Sequence, residues 1–222
     1  MGASETRDDA DLSHKDVLHR LGEIAPGGGL ELIHRQDQTP LLAHLLQAAP
    51  LRYEFAPLQR GPAQWRTLVH VRDDRAPRSV TFYLAWDHDR LDALLARGIS
   101  HARSQQWDDA AALIDVFRTG LFRHIEIEEK DLFPAFEDLT GIRMGGPTDV
   151  MRDEHQMIKE SVNDMLRAAL DHQLDEIERC HADLLGILVE HNMKEENILY
   201  PSTDRALDNT ARNTLVERML LR

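Results

Sequence analysis

One short pattern occurs twice in this chain and constrains it more than any other feature. The first copy is His124-Ile-Glu-Ile-Glu128-Glu-Lys-Asp-Leu-Phe-Pro134, and the second is His191-Asn-Met-Lys-Glu195-Glu-Asn-Ile-Leu-Tyr-Pro201. Both read H-x3-E-E-x2-L-[F/Y]-P. On a helix, residues four apart share a face about one turn apart, so each copy offers an imidazole and a carboxylate to the same point. Each copy also has a histidine 36 residues upstream, His88 before His124 and His155 before His191. The midpoints of these intervals, Gln106 and Gln173, fall in predicted turns at Ser104 to Trp107 and His172 to Leu174. A chain folded back at each midpoint brings each histidine pair level, ~24 Å from the turn for roughly 16 helical residues.

The surrounding pattern is helical. His88, Leu91, Leu95 and Ile99 share one face, as do Phe117, Leu121, His124 and Glu128. So do Met151, His155, Ile158, Val162 and Met165, and so do Cys180, Leu184, Ile187, His191, Glu195 and Ile198. This periodicity predicts four long helices over 79–104, 108–136, 148–171 and 174–199, with a short fifth over 208–221. Two of the connections are short, which favours an up-down-up-down bundle. In that topology the second and fourth helices run parallel, and Glu128 and Glu195 are level with each other.

The bundle is preceded by something different. The polar stretch Asp73 to Arg78 contains a proline and marks a linker. It divides a small domain, residues 1–72, from the bundle, residues 79–222. In the small domain, Gly27-Gly28-Gly29 precedes an apolar strand, Leu30 to Ile33. Thr39-Pro40 opens a helix over Leu41 to Ala48, with Thr39 as N-cap. An earlier helix covers Lys15 to Ile24. Arg52 to Ala56 and Trp65 to Val71 read as an antiparallel pair. The fold class is therefore mainly α, a four-helix bundle after a small α/β sandwich.

Charge and cysteine content exclude several roles. The net charge is −13, and residues 79–222 carry 28 acidic against 16 basic side chains. That argues against nucleic-acid binding, which needs a basic face. No 18-residue apolar run spans a membrane. The segment Met1 to Asp11 is polar and acidic, without a secretory core. The single cysteine, Cys180, fits a reducing cytoplasm and excludes an internal disulfide.

Six ligand-type residues thus converge in the bundle: His88, His124, Glu128, His155, His191 and Glu195. Four imidazoles and two carboxylates are too many for one tetrahedral zinc. They suit two ions, each held by two histidines, with the carboxylates shared as bridges. Mixed nitrogen and oxygen donors favour iron, with manganese or zinc able to substitute. Calcium and magnesium would want more oxygen. The competing reading, a buried polar network without a cation, would strongly destabilise the core.

Other candidates carry less. Asp87, Glu129, Glu154 and Glu196 adjoin the six and either orient imidazoles or form a solvated face, since neighbours on a helix point ~100° apart. Tyr83, Trp86 and Cys180 read as packing. His101, His172 and His181 read as surface residues. The histidines of the small domain, His14, His19, His34, His44 and His70, have no H-x3-H or cysteine partner.

Residues 79–222 resemble the hemerythrin-like, HHE cation-binding domain. Its helix-A His, helix-B H-x3-E, helix-C His and helix-D H-x3-E fall on the six residues above. The oxygen-carrying hemerythrins have a second helix-C histidine where this chain has Lys159, and they end in H-x4-D. The departure argues against reversible oxygen carriage. The four-histidine, two-glutamate set is similar to the bacterial repair-of-iron-centres proteins; those carry a different N-terminal domain, so this likeness is expected to cover the bundle alone. Residues 12–72 resemble a domain of unknown function, similar in pattern to the sulfur-carrier fold TusA or SirA. Thr39-Pro40 stands where that family has Cys-Pro, which disfavours sulfur transfer.

The resemblance implies a cytoplasmic, non-heme protein with two iron ions, oxo- or hydroxo-bridged, that binds O2 or NO in gas or redox sensing. A protein partner would be reached through the N-terminal domain. One alternative is repair of damaged iron–sulfur centres, by iron donation or NO scavenging under stress. Another is a di-iron redox enzyme reducing peroxide or NO. A binding or repair protein is the expectation over an enzyme, and no catalytic residue is assigned.

Overall fold

The computed structural model describes residues 5–8 and 14–222. Most of the Met1 to Asp11 segment, read above as lacking a secretory core, therefore lies outside the described residues. The chain forms two compact units, Met1–Arg78 with Asn213–Arg222, and Ser79–Arg212.

The first unit is built from β1 (Glu5–Asp8), α1 (His14–Glu23), β2 (Gly29–His34), α2 (Thr39–Ala48), β3 (Tyr53–Gln59) and β4 (Trp65–Val71). The sheet order is β1-β2-β4-β3. β1 pairs parallel to β2, and β4 pairs antiparallel to both β2 and β3. β3 lies at the sheet edge, where Pro57 is tolerated and the register shifts between Pro57 and Gln59. Leu30, Leu32, Phe55, Val69 and Val71 form the buried centre with Leu21 and Leu45.

Three expectations need correction here. Thr39 is not the N-cap of α2: the cap position is Gln38, with no side-chain cap bond. Asp37 takes the capping role instead, its Oδ1 accepting from the Thr39 N–H at 2.9 Å and the Thr39 hydroxyl at 2.8 Å. The stretch read as a linker ends in a fully buried side chain. Arg78 donates to both Glu54 oxygens at 3.2 and 3.3 Å, and to the Pro50 and Tyr53 carbonyls at 2.6 and 3.2 Å. Arg72 approaches the same carboxylate at 3.3 Å. Residues 213–222, allotted above to the bundle, belong to this unit, with Leu215, Val216, Met219 and Leu220 buried.

The second unit holds four long helices. α3 is Val80–Arg103, α4 is Trp107–Ile127, α6 is Pro147–Leu170 and α7 is Leu174–Lys194. The residues that head the two halves differ by a constant offset: His88 and His155, Gln105 and His172, His124 and His191, Glu128 and Glu195 are each 67 apart. The turns repeat as well. Gln105 and His172 are left-handed, with φ of 59° and 58°. Each turn closes with the paired bonds of a helix-ending left-handed turn. Gln106 N–H bonds His101 O at 2.9 Å and Gln105 N–H bonds Ala102 O; Gln173 N–H bonds Ala168 O at 2.9 Å and His172 N–H bonds Ala169 O. Leu91, Leu95, Ile99, Ile114, Phe117, Ile158, Val162 and Leu184 fill the space between the helices. Gly98 and Gly120 let α3 and α4 approach closely. A Cβ at Gly120 would sit 2.7 Å from Leu91 Cδ2, and one at Gly98 would sit 3.0 Å from Ile114 Cγ1.

α4 and α7 do not run on as plain α-helix. A π turn follows each, Glu128–Leu132 and Glu195–Leu199, before α5 (Phe133–Thr140) and α8 (Tyr200–Ala206). Pro134 and Pro201 explain this. A helical proline has no N–H to give and its ring collides with the carbonyl four residues back. The π turn widens the helix ahead of it. The Phe133 N–H reaches Glu128 O and the Tyr200 N–H reaches Glu195 O, five residues back in both cases. Both ligand-type glutamates therefore open a π turn.

The start of α3 is tied to the end of α8. Asp204 accepts from Ser79 Oγ at 2.6 Å, from the Val80 and Thr81 N–H groups at 2.8 and 3.0 Å, and from Thr81 Oγ1 at 2.8 Å. Its carboxylate serves as a second cap for the helix that carries His88. The last helix, α9 (Asn209–Leu221), begins in this unit and ends in the other. Replacing Asp204 by Ala is expected to destabilise the bundle by roughly 2 kcal/mol, read as a lower urea midpoint with an unchanged slope.

Candidate metal centre

The structure brings all six ligand-type residues together. Every one of them is buried, with Glu128, His155 and Glu195 fully inaccessible. The pairing expected from the 36-residue spacing is seen. The His88 and His124 rings lie 4.6 Å apart and the His155 and His191 rings 4.9 Å apart. The two glutamates stand between the pairs. His155 Nε2 is 3.2 Å from Glu128 Oε2, and His191 Nε2 is 3.0 Å from Glu195 Oε1. On the other side, His88 Nε2 is 3.5 Å from Glu195 Oε2, and His124 Nε2 is 3.7 Å from Glu128 Oε1. Two groups of donor atoms result that can each hold a cation. One comprises Glu128, His155, His191 and Glu195; the other comprises His88, His124 and Glu195.

The four acids that adjoin these residues are not a solvated face. Each accepts the Nδ1 proton of a histidine on another helix. Asp87 on α3 holds His124 of α4 at 3.1 Å, and Glu129, after α4, holds His155 of α6 at 3.0 Å. Glu154 on α6 holds His191 of α7 at 2.8 Å, and Glu196, after α7, holds His88 of α3 at 2.7 Å. The bonds run once around the bundle. A carboxylate only accepts, so it places the proton on Nδ1 and turns the Nε2 lone pair inward. Three of the acids are anchored in turn. Arg90 donates to Asp87 at 2.8 Å, Lys159 to Glu129 at 3.4 Å, and Lys194 to Glu154. Dipeptides carried the signal for this ring: Asp87-His88, Glu154-His155, Glu128-Glu129 and Glu195-Glu196 put an acid beside a ligand on every helix.

Tyr200 is a further site residue that the sequence did not single out. Its hydroxyl donates to Glu128 Oε1 at 2.6 Å and stands 3.0 Å from Glu195 Oε2. Its counterpart Phe133 stacks on His155, centroids 5.6 Å apart and planes 6° apart. Tyr83, Trp86 and Cys180 pack as expected. Cys180 is buried among the core residues, and the rings of Tyr83 and Trp86 stack at 6.2 Å. His172 stacks on Trp107 at 5.1 Å.

The electrostatics define what the pocket lacks. Burial resists charge on His124, but the Glu128 carboxylate and Asp87 override it and raise its pKa to about 10. Burial lowers His88 and His191, so these rings are neutral. Glu128 is held well below the usual carboxylate range, against its own burial, by His124 and His155. Glu195 is pushed well above that range by burial and by the Glu128 charge beside it. The two glutamates thus cannot both be anions without added positive charge. Glu128 Oε2, His155 Nε2 and Glu195 Oε1 are buried yet lack a hydrogen-bond partner. These are lone-pair atoms aimed at one another, and a cation between them satisfies all three. The donor set therefore fits a metal.

A cavity of about 20 Å³, room for about one water-sized molecule, touches these donors. Leu91, Phe117, Leu121 and Ile158 line its apolar side, and Asp92 and Asn192 lie among its walls.

A helical bundle with ligand-type His and H-x3-E residues buried at one level defines a cation-binding class. Residues 81–202, more than half of the chain, match the Hemerythrin HHE cation binding domain, and the chain belongs to that family. The matched span contains all six residues. Among curated proteins, the chain is similar to the iron-sulfur cluster repair protein YtfE of Edwardsiella ictaluri (strain 93-146). The two are 28% identical over 190 residues, covering 79% of this chain and 83% of that protein. That share exceeds residues 79–222 alone, so the likeness is not confined to the bundle as the sequence reading held. No solved structure matched. Among the described residues, no helix is long and apolar enough to cross a membrane.

Asp87 is the one acid of the ring that is fully buried, and Arg90 locks it as an anion. Replacing it with Asn should weaken metal affinity by about 10–100-fold, measured by competition with a chelator. The same change at Glu196, which is 41% exposed, should cost less.

Proposed function

We propose that this chain holds two iron ions at His88, His124, Glu128, His155, His191 and Glu195, and supplies iron to damaged iron–sulfur centres under oxidative or nitrosative stress. The observation that carries this reading is the donor set itself. Four buried imidazoles and two carboxylates face one another, with three lone-pair atoms unpartnered. The similarity to a protein named for iron–sulfur cluster repair supports the purpose. Lys159, at the place of the second helix-C histidine of oxygen carriers, bonds Glu129. It is a cation and offers no lone pair to a metal, which argues against an oxygen-carrier site.

The side chains do the following. The ring of Asp87, Glu129, Glu154 and Glu196 fixes each imidazole and strengthens its donor nitrogen. Glu128 and Glu195, each with an oxygen toward either histidine pair, would hold a cation at each pair. The apolar helix faces keep bulk water away. Because every donor must be proton-free to bind, reprotonation of these carboxylates and histidines would release the iron. The cavity beside the donors favours a second reading at the same site: a bound iron would offer an open position to O2 or NO, so the site also suits gas sensing or NO scavenging. We place the protein in the cytoplasm, where a single free cysteine stays reduced, and assign the N-terminal unit to a protein partner.

The test is anaerobic mixing of the ferrous-loaded full chain with an apo iron–sulfur protein and sulfide. Clusters should form at the expense of the chain's own iron. A His155→Ala and His191→Ala double variant should supply much less. Equal delivery by that variant, or none by the native chain, would contradict the proposal.

A further inference from the structure

The two halves of the bundle differ at the position that carries an aromatic ring beside the donor atoms. The first half has Phe133 and the second has Tyr200, 67 residues on. Phe133 lies flat on His155 and offers no donor. Tyr200 is fully buried, and its phenol oxygen is 2.6 Å from Glu128 Oε1, 3.0 Å from Glu195 Oε2 and 3.4 Å from His124 Nε2. Atoms bound to one ion at right angles, with bonds of ~2.1 Å, stand ~3 Å apart. The phenol oxygen keeps that spacing from three donors of a single position, the one made by His88 and His124. The position made by His155 and His191 has only the carboxylate oxygens beside its two imidazoles, at 3.2 and 3.0 Å.

We propose that Tyr200 is a fifth donor to the His88/His124 position, so that the two metal positions are chemically unequal. This rests on the metal reading above. A trivalent ion held by the same two carboxylates would lie within bonding reach of the phenol oxygen. The proton leaves to solvent as Fe(III) binds, and the phenolate oxygen takes its place on the ion. A hard anionic oxygen favours the ferric state there. The four-donor position, without it, is the one from which iron is given up.

The experiment loads the full chain with Fe(III), measures iron per chain, and records resonance Raman spectra with excitation in the visible band. The native chain should show enhanced tyrosinate ring modes. Tyr200→Phe, which copies the residue of the other half, should keep bound iron and lose those modes. Bound iron without tyrosinate modes in the native chain overturns the ligation and leaves the metal reading standing. Modes that persist in Tyr200→Phe trace to another tyrosine and also overturn it. A native chain that binds no iron overturns the metal reading and the ligation with it. The native spectrum decides the question even where the variant does not fold.

Discussion

Two buried carboxylates face each other across a few ångströms at the centre of this bundle, and the rest of the structure depends on how their charge is met. Glu128 and Glu195 are fully buried. In the chain by itself, Glu128 keeps its charge by holding His124 as a cation, while Glu195 is forced toward its neutral form. Three donor atoms are left without a hydrogen to bond. A hydrophobic core would be cheaper to fold. The arrangement makes sense as a cation site, in which binding would return the stability that the buried donors cost.

The ring of acids shows why a bundle is needed to build it. Each helix presents one imidazole inward and one carboxylate sideways to the histidine of another helix. Asp87 and Glu154 precede their own helix's histidine, whereas Glu129 and Glu196 follow their own helix's glutamate. The alternation follows from the 67-residue repeat. No imidazole is aimed by its own helix alone, so the donor geometry and the helix packing form together. Asp204, which caps α3, and the π turns ahead of Pro134 and Pro201 hold that register at the end of the bundle where the donors lie.

Much of this was legible in the chain. The H-x3-E repeat and the 36-residue intervals gave the four helices, the turns near Gln106 and Gln173, and the six residues that meet. Side-chain direction across helices was not legible. An acid next to a ligand points ~100° away from it on an ideal helix, which hid the fact that it points at the next helix's histidine. The π turns were also hidden, although the recurring proline was visible, because periodicity averages over an extra residue. Tyr200 was masked by its own motif, where Phe and Tyr read as equivalent apolar positions. In the first unit, Arg78 looked like part of a polar linker and is instead buried against Glu54, a pairing 24 residues apart in sequence that no local pattern announces.

The chain belongs to the hemerythrin HHE cation-binding family, and the central question for it is the binding of metal at the buried donors. The most direct measurement is an anaerobic calorimetric titration of the metal-free full chain with ferrous iron, repeated in buffers with different heats of ionisation. Two equivalents should bind, and the apparent heat should change with buffer as His124 and Glu195 release their protons. One equivalent or none, or a heat independent of buffer, would contradict a site that exchanges buried protons for a pair of metal ions.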